Sequence, residues 1–172
     1  MSPLPVIALL SAVALGAAAP AAGAPVQDVS REVSRALAAL PFYTVFDNLE
    51  FQVSGGEVTL SGEVTRPALK NDAGQAVAQI PGVARVVNRI EVLPDSASDA
   101  KLRLAEYLAI YGDPVFIQYE RRPSPPIHIV VSRGAVTLVG TVVSADDSTE
   151  AFTQASAVPG VVSLTNRLQV EP

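Results

Sequence analysis

Residues 55–64 read GGEVTLSGEV, and residues 133–142 read RGAVTLVGTV. The second stretch begins 78 residues after the first (133 minus 55). The same offset relates IPGVARVVNRIEVLP, residues 80–94, to VPGVVSLTNRLQVEP, residues 158–172. Two separate matches at one offset, with no gap between them, indicate an internal duplication rather than two unrelated stretches of similar composition. The chain therefore contains one structural unit twice.

Hydrophobic periodicity predicts the same order of elements in both copies. Each copy opens with a helix, and a hairpin of two alternating strands follows. A second helix ends at Pro81-Gly82 or Pro159-Gly160, and a last strand closes the unit. The order is α-β-β-α-β, so we expect an α+β fold: two tandem units, each an open mixed three-stranded sheet with two helices on one face. The apolar positions of the opening helices are Val29, Val33, Leu37 and Leu40 in the first copy, and Leu104 and Leu108 within Ala100 to Ile110 in the second.

The copies differ between their first helix and their first strand. The second copy has about eight extra residues there, which fall in ERRPSPP, residues 120–126. The prolines predict an extended, non-helical loop. Only residues 95–98 join the copies, which keeps the two units close together. Because a unit this small buries only a modest fraction of its surface, we expect the two units to pack on each other.

The first 24 residues differ in composition from the rest. An uncharged apolar run from Val6 to Ala19 precedes small residues that end at Ala24, which is typical of a secretory signal and its cleavage region. The alternative is an uncleaved membrane anchor, although a spanning helix needs roughly 20 apolar residues. We predict a periplasmic or secreted protein with a signal peptide over residues 1–24, a first domain over 25–94, a linker over 95–98 and a second domain over 99–172.

Composition excludes several classes of function. The 172-residue chain has a formal net charge of −5, whereas general nucleic-acid binding requires a basic surface. It has no cysteine, which excludes disulfides, thiolate metal sites and a cysteine nucleophile. A single histidine excludes multi-histidine metal sites. The sequence contains no converging set of nucleophile, base and metal ligands, so we expect neither catalysis nor a cofactor.

Four residues at repeated positions are predicted to be structural. Gly62 and Gly140 fall on the apolar face of the second strand of each hairpin. Close packing of a helix against that strand accounts for them better than a ligand does. Asn88 and Asn166 fall on the core face of the last strand. A buried amide must be hydrogen-bonded, and we expect its partner to be backbone at the preceding turn.

Three further polar residues are predicted to have no chemical role. His128 alternates with apolar neighbours, so its side chain should point outward into solvent. Asp146 and Asp147 form a carboxylate pair that could be read as a metal site. They lie in the first turn of a helix that begins at Ser144, however, where capping and the helix dipole account for them.

The repeated pattern resembles that of the BON-domain proteins, named for bacterial osmotically inducible and nodulation proteins. It consists of a strand with a central glycine (VTLSGEV, VTLVGTV), a helix, then Pro-Gly-Val and a strand that contains Asn (GVARVVNRIEV, GVVSLTNRLQV). The resemblance covers about residues 29–172 and implies a non-enzymatic envelope protein that binds phospholipid or other surfaces. Some relatives with two such domains are lipoproteins that bind anionic lipid through the first helix of the second domain. This chain departs from them because it has no cysteine to carry a lipid.

A basic and aromatic cluster is the predicted binding surface. Arg121 and Arg122 lie in the proline-rich insert beside Tyr119. Lys101 and Arg103 are the positive groups of the helix to which the resemblance assigns lipid binding. Basic and aromatic residues on a mobile loop suit a lipid headgroup or an anionic polymer.

The alternative to a binding role is a solvated loop whose arginines pair with Glu120 or Glu106. The predicted function is binding of phospholipid or envelope surfaces, and the predicted partner is an anionic phospholipid or an envelope protein. A periplasmic protein-interaction module, chaperone-like and protective under stress, is the alternative function.

Overall fold

The computed structural model describes residues 26–122 and 125–171. The predicted signal peptide lies outside the described residues. The first unit contains α1 (Val26–Ala38), β1 (Asn48–Ser54), β2 (Glu57–Val64), α2 (Pro67–Ala78), β3 (Arg85–Asn88) and β4 (Glu91–Val92). The second unit contains α3 (Ala97–Tyr111), a 3-10 turn (Pro114–Phe116), α4 (Ile117–Glu120), β5 (Ile127–Ser132), β6 (Ala135–Val142), α5 (Ala145–Ser156) and β7 (Ser163–Val170).

Both units contain the predicted mixed sheet. In the first, β2 is central: β1 pairs with it antiparallel, and β3 and β4 pair with it parallel along its other side. In the second, β6 is central, with β5 antiparallel and β7 parallel. The predicted tandem α+β fold is therefore confirmed. The last strand of the first unit is interrupted at Arg89 and Ile90, which divides it into β3 and β4.

Each unit has its own hydrophobic core between its sheet and its helices. In the first unit α1 and α2 contact each other and the sheet, and Val33, Leu60 and Leu69 are almost completely buried. In the second, α3 and α5 take the same places over Ile129 and Leu138. Alternate strand residues face these cores because successive side chains of a strand point to opposite sides of the sheet.

Helix starts follow local sequence chemistry. The Ser144 hydroxyl accepts a hydrogen bond from the Asp147 amide, so the predicted cap of α5 is confirmed. Ser96 caps α3 in the same way through the Asp99 amide. Pro67 occupies the first turn of α2, where its missing N–H costs nothing.

The prediction of an extended loop in the second-unit insert is wrong at its beginning. Glu120 is the last residue of α4, and a 3-10 turn precedes that helix. Phe116 and Tyr119 are completely buried in the core, and their burial stabilises helical backbone just ahead of the prolines. Pro123 and Ser124 lie outside the described residues. In the described part of the chain, no helix combines the length and hydropathy that crossing a membrane requires.

Candidate functional surface and the contact between the units

Helix α3 turns three charged side chains inward and two leucines outward. Asp99, Arg103 and Glu106 are 2%, 8% and 0% exposed. Leu104 and Leu108 are 56% and 61% exposed. These two leucines are one helical turn apart and share one face of the helix. Helical periodicity predicted this helix correctly. Two of the apolar residues on which the prediction rested, Leu104 and Leu108, nevertheless lie on its exposed face.

The buried polar residues of α3 complete the outer edge of β5. Arg103 Nη2 donates to the Val131 carbonyl at 2.7 Å. The Asp99 carboxylate accepts from the amides of Arg133 at 2.8 Å and Gly134 at 3.0 Å, in the hairpin turn. Backbone groups at a strand edge need such partners when they are buried. The prediction that Arg103 belongs to an exposed lipid-binding cluster is therefore corrected, because its guanidinium points into the protein.

Two more groups complete the β5 edge. The Tyr111 hydroxyl donates to the Ile127 carbonyl at 2.7 Å and accepts from the Ile127 amide at 3.2 Å. Burial raises the pKa of Tyr111 above its ordinary value, so the hydroxyl keeps its proton and can donate. The Ile129 amide donates to the carbonyl of Val45, a residue of the first unit, at 2.7 Å. Side chains of α3 and the Val45 carbonyl thus reach each of the outward residues Ile127, Ile129 and Val131.

Glu106 is the buried group that this arrangement leaves without a partner. Neither carboxylate oxygen forms a hydrogen bond within residues 26–122 and 125–171. Burial raises the pKa of Glu106 from 4.5 to about 7. Burial also lowers the pKa of Arg103, an effect that Asp99 and Asp47 oppose through their charges. Near neutral pH, Glu106 is therefore a mixture of neutral and ionised forms.

Tyr119 lies in the core of the second unit and not on an exposed loop. Its hydroxyl donates to the Asp147 carboxylate and accepts from the Val143 amide at 2.7 Å. The Arg122 guanidinium lies over the Tyr119 ring, 5.3 Å from its centroid, and forms an ion pair with Glu171 at 2.8 Å. The prediction of Tyr119 as a surface contact is corrected, because the apolar ring is completely buried.

Three of the five predicted contact residues remain at the surface. Lys101 and Arg121 are exposed, and Arg122 is partly covered by its contacts with Glu171 and Tyr119. Lys101 precedes Leu104 by nearly one helical turn, so it extends the exposed leucine face toward the start of the helix. We call Lys101, Leu104 and Leu108 the α3 outer face. The lipid-binding role of Lys101, Arg121 and Arg122 stays a prediction.

A groove of about 680 Å³ adjoins the beginning of α3. Lys101, Leu102 and Ala105 line one side of it, and the loop from Pro159 to Val162 lines the other. The Val162 side chain is 79% exposed at this groove. Apolar surface therefore continues beyond the helix itself.

Gly62 and Gly140 are structural, but a strand and not a helix approaches them. Gly62 has a φ of +104° and Gly140 a φ of +120°, a region that favours glycine. A Cβ atom would lie 2.2 Å from the Asn48 carbonyl oxygen at Gly62 and 1.8 Å from that of Pro126 at Gly140. The predicted helix contact is thus replaced by backbone at the start of the neighbouring strand.

The two asparagines link the last strand of each unit to a helix. Asn88 Nδ2 donates to the Lys70 carbonyl in α2 at 2.8 Å, and its Oδ1 accepts from the Ile90 amide at 3.2 Å. The sequence suggested backbone at the preceding turn as the hydrogen-bond partner of Asn88, but the side chain bonds Lys70 and Ile90 instead. The Asn88 side chain therefore satisfies an outward amide at the edge of the sheet.

Asn166 makes the equivalent contacts in the second unit. Its Nδ2 donates to the Ser148 carbonyl at 3.1 Å, and its Oδ1 accepts from the Leu168 amide at 3.0 Å. The prediction that this amide is buried is wrong, because Asn166 is exposed. Its position at the edge of the sheet leaves the side chain open to solvent on one side.

His128 connects the two units. Its Nδ1 lies 2.6 Å from the Asp47 carbonyl, to which a protonated Nδ1 donates, and its ring stacks on Tyr43 with centroids 5.5 Å apart. Burial lowers the pKa of His128, against the opposing effect of the Asp47 and Thr44 carbonyls. The side chain does point away from its own core, but the expectation of a solvated histidine is wrong because the first unit covers it.

Sequence reasoning missed Asp47, which is completely buried. One carboxylate oxygen accepts from the amide and hydroxyl of Thr44, and the other from those of Thr65. Val143 stands 78 residues after Thr65, and its amide is held by the Tyr119 hydroxyl instead. The backbone amide at this repeated position is therefore bonded by Asp47 in the first unit and by Tyr119 in the second. The sequence gives one indication of this role: Thr44, a residue type common in turns, stands three positions before Asp47.

The cleft beside this contact has a volume of about 740 Å³. Tyr43 and His128 line it, and Glu50 and Arg167 form an ion pair across the units at 3.3 Å. No group of three or more His, Asp or Glu side chains suited to a metal ion occurs in residues 26–122 and 125–171. The cleft therefore offers polar contacts and one aromatic stack.

Comparison with known proteins gives a family. The BON domain model matches residues 26–94 and 116–172. No curated protein matches the chain. Two solved structures of CdsD, a structural protein of the type III secretion system of Chlamydia trachomatis, are similar at a TM-score of 0.30. One is 15% identical and covers 84% of this chain and 93% of its own. The other, the C-terminal domain, is 13% identical and covers 84% and 98%. A TM-score this low carries no argument about the present chain, whereas the domain match covers most of it: the protein belongs to the BON-domain family and contains two BON domains.

Proposed function

We propose that this protein is a non-enzymatic component of the cell envelope that binds phospholipid surfaces through the α3 outer face. BON domains occur in envelope-associated proteins, which supports the location. One observation carries the proposal: Leu104 and Leu108 are more than half exposed on a helix that buries Asp99, Arg103 and Glu106 on its other side. A helix of this kind has an apolar face that a membrane interface can accept.

The chemistry of the α3 outer face suits shallow insertion. Leu104 and Leu108 would enter the boundary between headgroups and acyl chains, and each would contribute roughly 1–2 kcal/mol because it is only partly exposed beforehand. Lys101 would extend its ammonium group to lipid phosphate while its methylene stem lies along the apolar surface. The net charge of −5 means that electrostatic attraction alone would not hold the protein. We therefore expect weak, reversible binding.

Flotation with vesicles tests this proposal. We expect the chain that begins after the signal to float with vesicles containing phosphatidylglycerol, and the double change Leu104→Ser and Leu108→Ser to abolish flotation. Val143→Ser is the control, because Val143 is also an exposed apolar residue, 49% accessible, and it follows β6 instead of lying on α3. Flotation of the double variant at the wild-type level would refute the assignment of the α3 outer face.

The contribution of charge can be separated in the same assay. We expect Lys101→Gln to weaken flotation with anionic vesicles and to have little effect with neutral phosphatidylcholine vesicles. Arg121→Gln removes a positive charge just after α4, and its flotation shows whether this residue also contributes to binding. A chain that ignores anionic vesicles at low salt would contradict lipid binding altogether.

The second candidate is a protein-interaction module of the envelope. The groove beside α3, with Val162 exposed at it, favours this candidate because it extends the apolar surface beyond a shallow membrane contact. A partner recovered from envelope extract by the wild-type chain, and lost with Val162→Ser while flotation persists, would support it. Mass spectrometry of the exported protein tests the proposed signal peptide.

A further inference from the structure

The groove beside α3 combines an apolar lining with two exposed cations. Its apolar residues come from the residue before the linker, from α3 and from the loop after α5: Pro94, Leu102, Ala105, Pro159 and Val162. The cations are Lys101 and Arg133, which also line it. Clefts that bind small molecules are mostly apolar with a few polar groups, and they have volumes of about 300–1000 Å³. The groove, at about 680 Å³, has both properties.

The other polar side chains that line the groove are already bonded. Ser96 and Ser98 bond each other through their hydroxyls at 2.9 Å, and the Asp99 carboxylate accepts two backbone amides of the hairpin turn. Within the described part of the chain, neither Lys101 nor Arg133 forms an ion pair. The ammonium and guanidinium groups are therefore available to an anion.

The repeat shows that the hairpin turn does not require an arginine. Arg133 has a φ of +53°, in the left-handed region that an L side chain rarely adopts. Gly55, which stands 78 residues earlier, has the same conformation at +55° without a steric cost. Because glycine forms the turn equally well, the strained backbone of Arg133 points to a role for its side chain.

The loop after α5 also differs from its counterpart in the first unit. The Val162 amide bonds the Gly134 carbonyl at 2.9 Å, and the equivalent bond in the first unit measures 2.8 Å. The backbone is thus alike, but the first unit has Ala84 where the second has a valine that is 79% exposed. A Cβ atom at Gly134 would lie 2.7 Å from Val162 Cγ2, so the valine packs against the turn that carries Arg133. The second unit therefore places a cation and an apolar group together where the first has neither.

We propose that the groove beside α3 binds one molecule of an anionic lysophospholipid as a monomer, apart from any bilayer. The acyl chain would lie along Leu102, Ala105 and Val162. The phosphate would bridge Lys101 and Arg133, since both side chains are common phosphate ligands in proteins. This site goes beyond the proposed membrane contact, because the exposed leucines of the α3 outer face do not line it.

Two features favour an anionic acyl chain over a peptide segment as the occupant. An extended peptide binds through main-chain hydrogen bonds, but the amides of Arg133, Gly134 and Val162 are already bonded within the chain. An acyl chain needs no such partner. The exposed charges of the groove are both positive, which selects an anionic headgroup.

Titration calorimetry with lauroyl lysophosphatidic acid tests the proposal on the chain that begins after the signal. The lysolipid is kept below the concentration at which it forms micelles, and we expect one molecule to bind per chain. Lauroyl glycerol has the same acyl chain without the phosphate, and glycerol phosphate has no acyl chain. Each should bind at least about tenfold more weakly. Equal binding of either compound, or no binding of lysophosphatidic acid, would overturn the proposal.

Variants that introduce the residues of the first unit separate binding from structure. Arg133→Gly should weaken binding about tenfold and leave the midpoint of urea unfolding unchanged or higher, because glycine relieves the strained backbone. Val162→Ala should weaken binding about threefold. Arg89→Gln removes an exposed cation of the first unit and is the control, which should bind as wild type does. Wild-type affinity in both Arg133→Gly and Val162→Ala would refute the site.

Vesicle flotation distinguishes this site from the proposed membrane contact. The double change Leu104→Ser and Leu108→Ser should lose flotation and keep lysophosphatidic acid binding, whereas Val162→Ala should bind the lysolipid more weakly and still float. Loss of both activities in the leucine variant would argue against a separate site. A wild-type chain that binds the lysolipid without floating would support this site and contradict only the membrane contact. Capture of an envelope protein at Val162 by a chain that does not bind lysophosphatidic acid would assign the groove to that protein instead.

Discussion

Asp99, Arg103 and Glu106 show how three ionisable residues can occupy the inner face of one helix. Asp99 and Arg103 bond backbone groups of β5 and its turn, so their burial replaces hydrogen bonds that water would otherwise provide. Glu106 has no such partner, and ionisation there places a charge in a poorly solvated site. The cost depends on pH, since the neutral acid is accommodated more easily.

Glu106→Gln should change how stability depends on pH. The folded pKa of Glu106, about 7, exceeds the unfolded value of 4.5, so the folded state holds its proton more tightly. Wild-type stability should therefore fall as pH rises from 4.5 to about 7 and then level off. Glutamine cannot ionise. We expect its stability relative to wild type to improve by roughly 1–3 kcal/mol between about pH 5 and about pH 8.

Urea unfolding at about pH 5 and about pH 8 measures the difference in unfolding free energy between wild type and Glu106→Gln. Glu91→Gln is the control, because it makes the same chemical change at a side chain that is exposed to solvent. Parallel pH profiles for wild type and Glu106→Gln would contradict the assigned burial effect.

Among the elements, the duplication preserves the order of the strands. It changes the side chain that bonds the backbone amide just after the central strand of each sheet. The amide after β2 belongs to Thr65 and bonds the Asp47 carboxylate. The corresponding amide after β6 belongs to Val143 and bonds the Tyr119 hydroxyl, which arrives on α4. Helix α4, just before the insert, thus supplies both a buried aromatic ring and a replacement hydrogen-bond partner.

Tyr119→Phe should destabilise the second unit by about 1–3 kcal/mol. The change keeps the ring but leaves the Val143 amide and the Asp147 carboxylate without this shared partner. Tyr107→Phe is the matched control: its hydroxyl bonds only the exposed Glu120, and we expect a loss below about 0.5 kcal/mol. Thermal or urea unfolding measures both variants, and equal losses would argue against the bridging role of Tyr119.

In the whole molecule, residues 43–47 of the first unit lie against β5 of the second. The Val45 carbonyl extends the sheet edge, and His128 bonds the Asp47 carbonyl and stacks on Tyr43. Burial raises the pKa of Tyr43 to about 12, so its hydroxyl stays neutral beside the stack. The contact between the units is thus made largely by neutral groups and backbone.

The contact should weaken in acid through His128. Its folded pKa lies below 6.5, so the unfolded chain binds a proton first, and stability falls as pH drops below 6.5. His128→Ala should remove this part of the acid sensitivity and lose about 1–2 kcal/mol near neutral pH, through the lost stack and hydrogen bond.

Arg167→Ala is the comparison for that prediction. Its ion pair with Glu50 also joins the units, but both side chains are about half exposed, so we expect a change below about 0.5 kcal/mol. Urea unfolding between about pH 5 and about pH 7 measures each variant. An unchanged acid response in His128→Ala would assign the effect to another group.

Local patterns in the sequence predict the duplication, the element order and the cap of α5, because periodicity and capping chemistry act over a few residues. The glycines and asparagines were recognised as structural for the same local reason, although their partners were not. The folded structure was needed to show that Arg103 and Tyr119 turn inward, that Leu104 and Leu108 stay outside, and that His128 meets the first unit. Those outcomes depend on which strand edges need hydrogen bonds and which segments reach them. Groups distant along the chain decide that, and a local pattern does not record them.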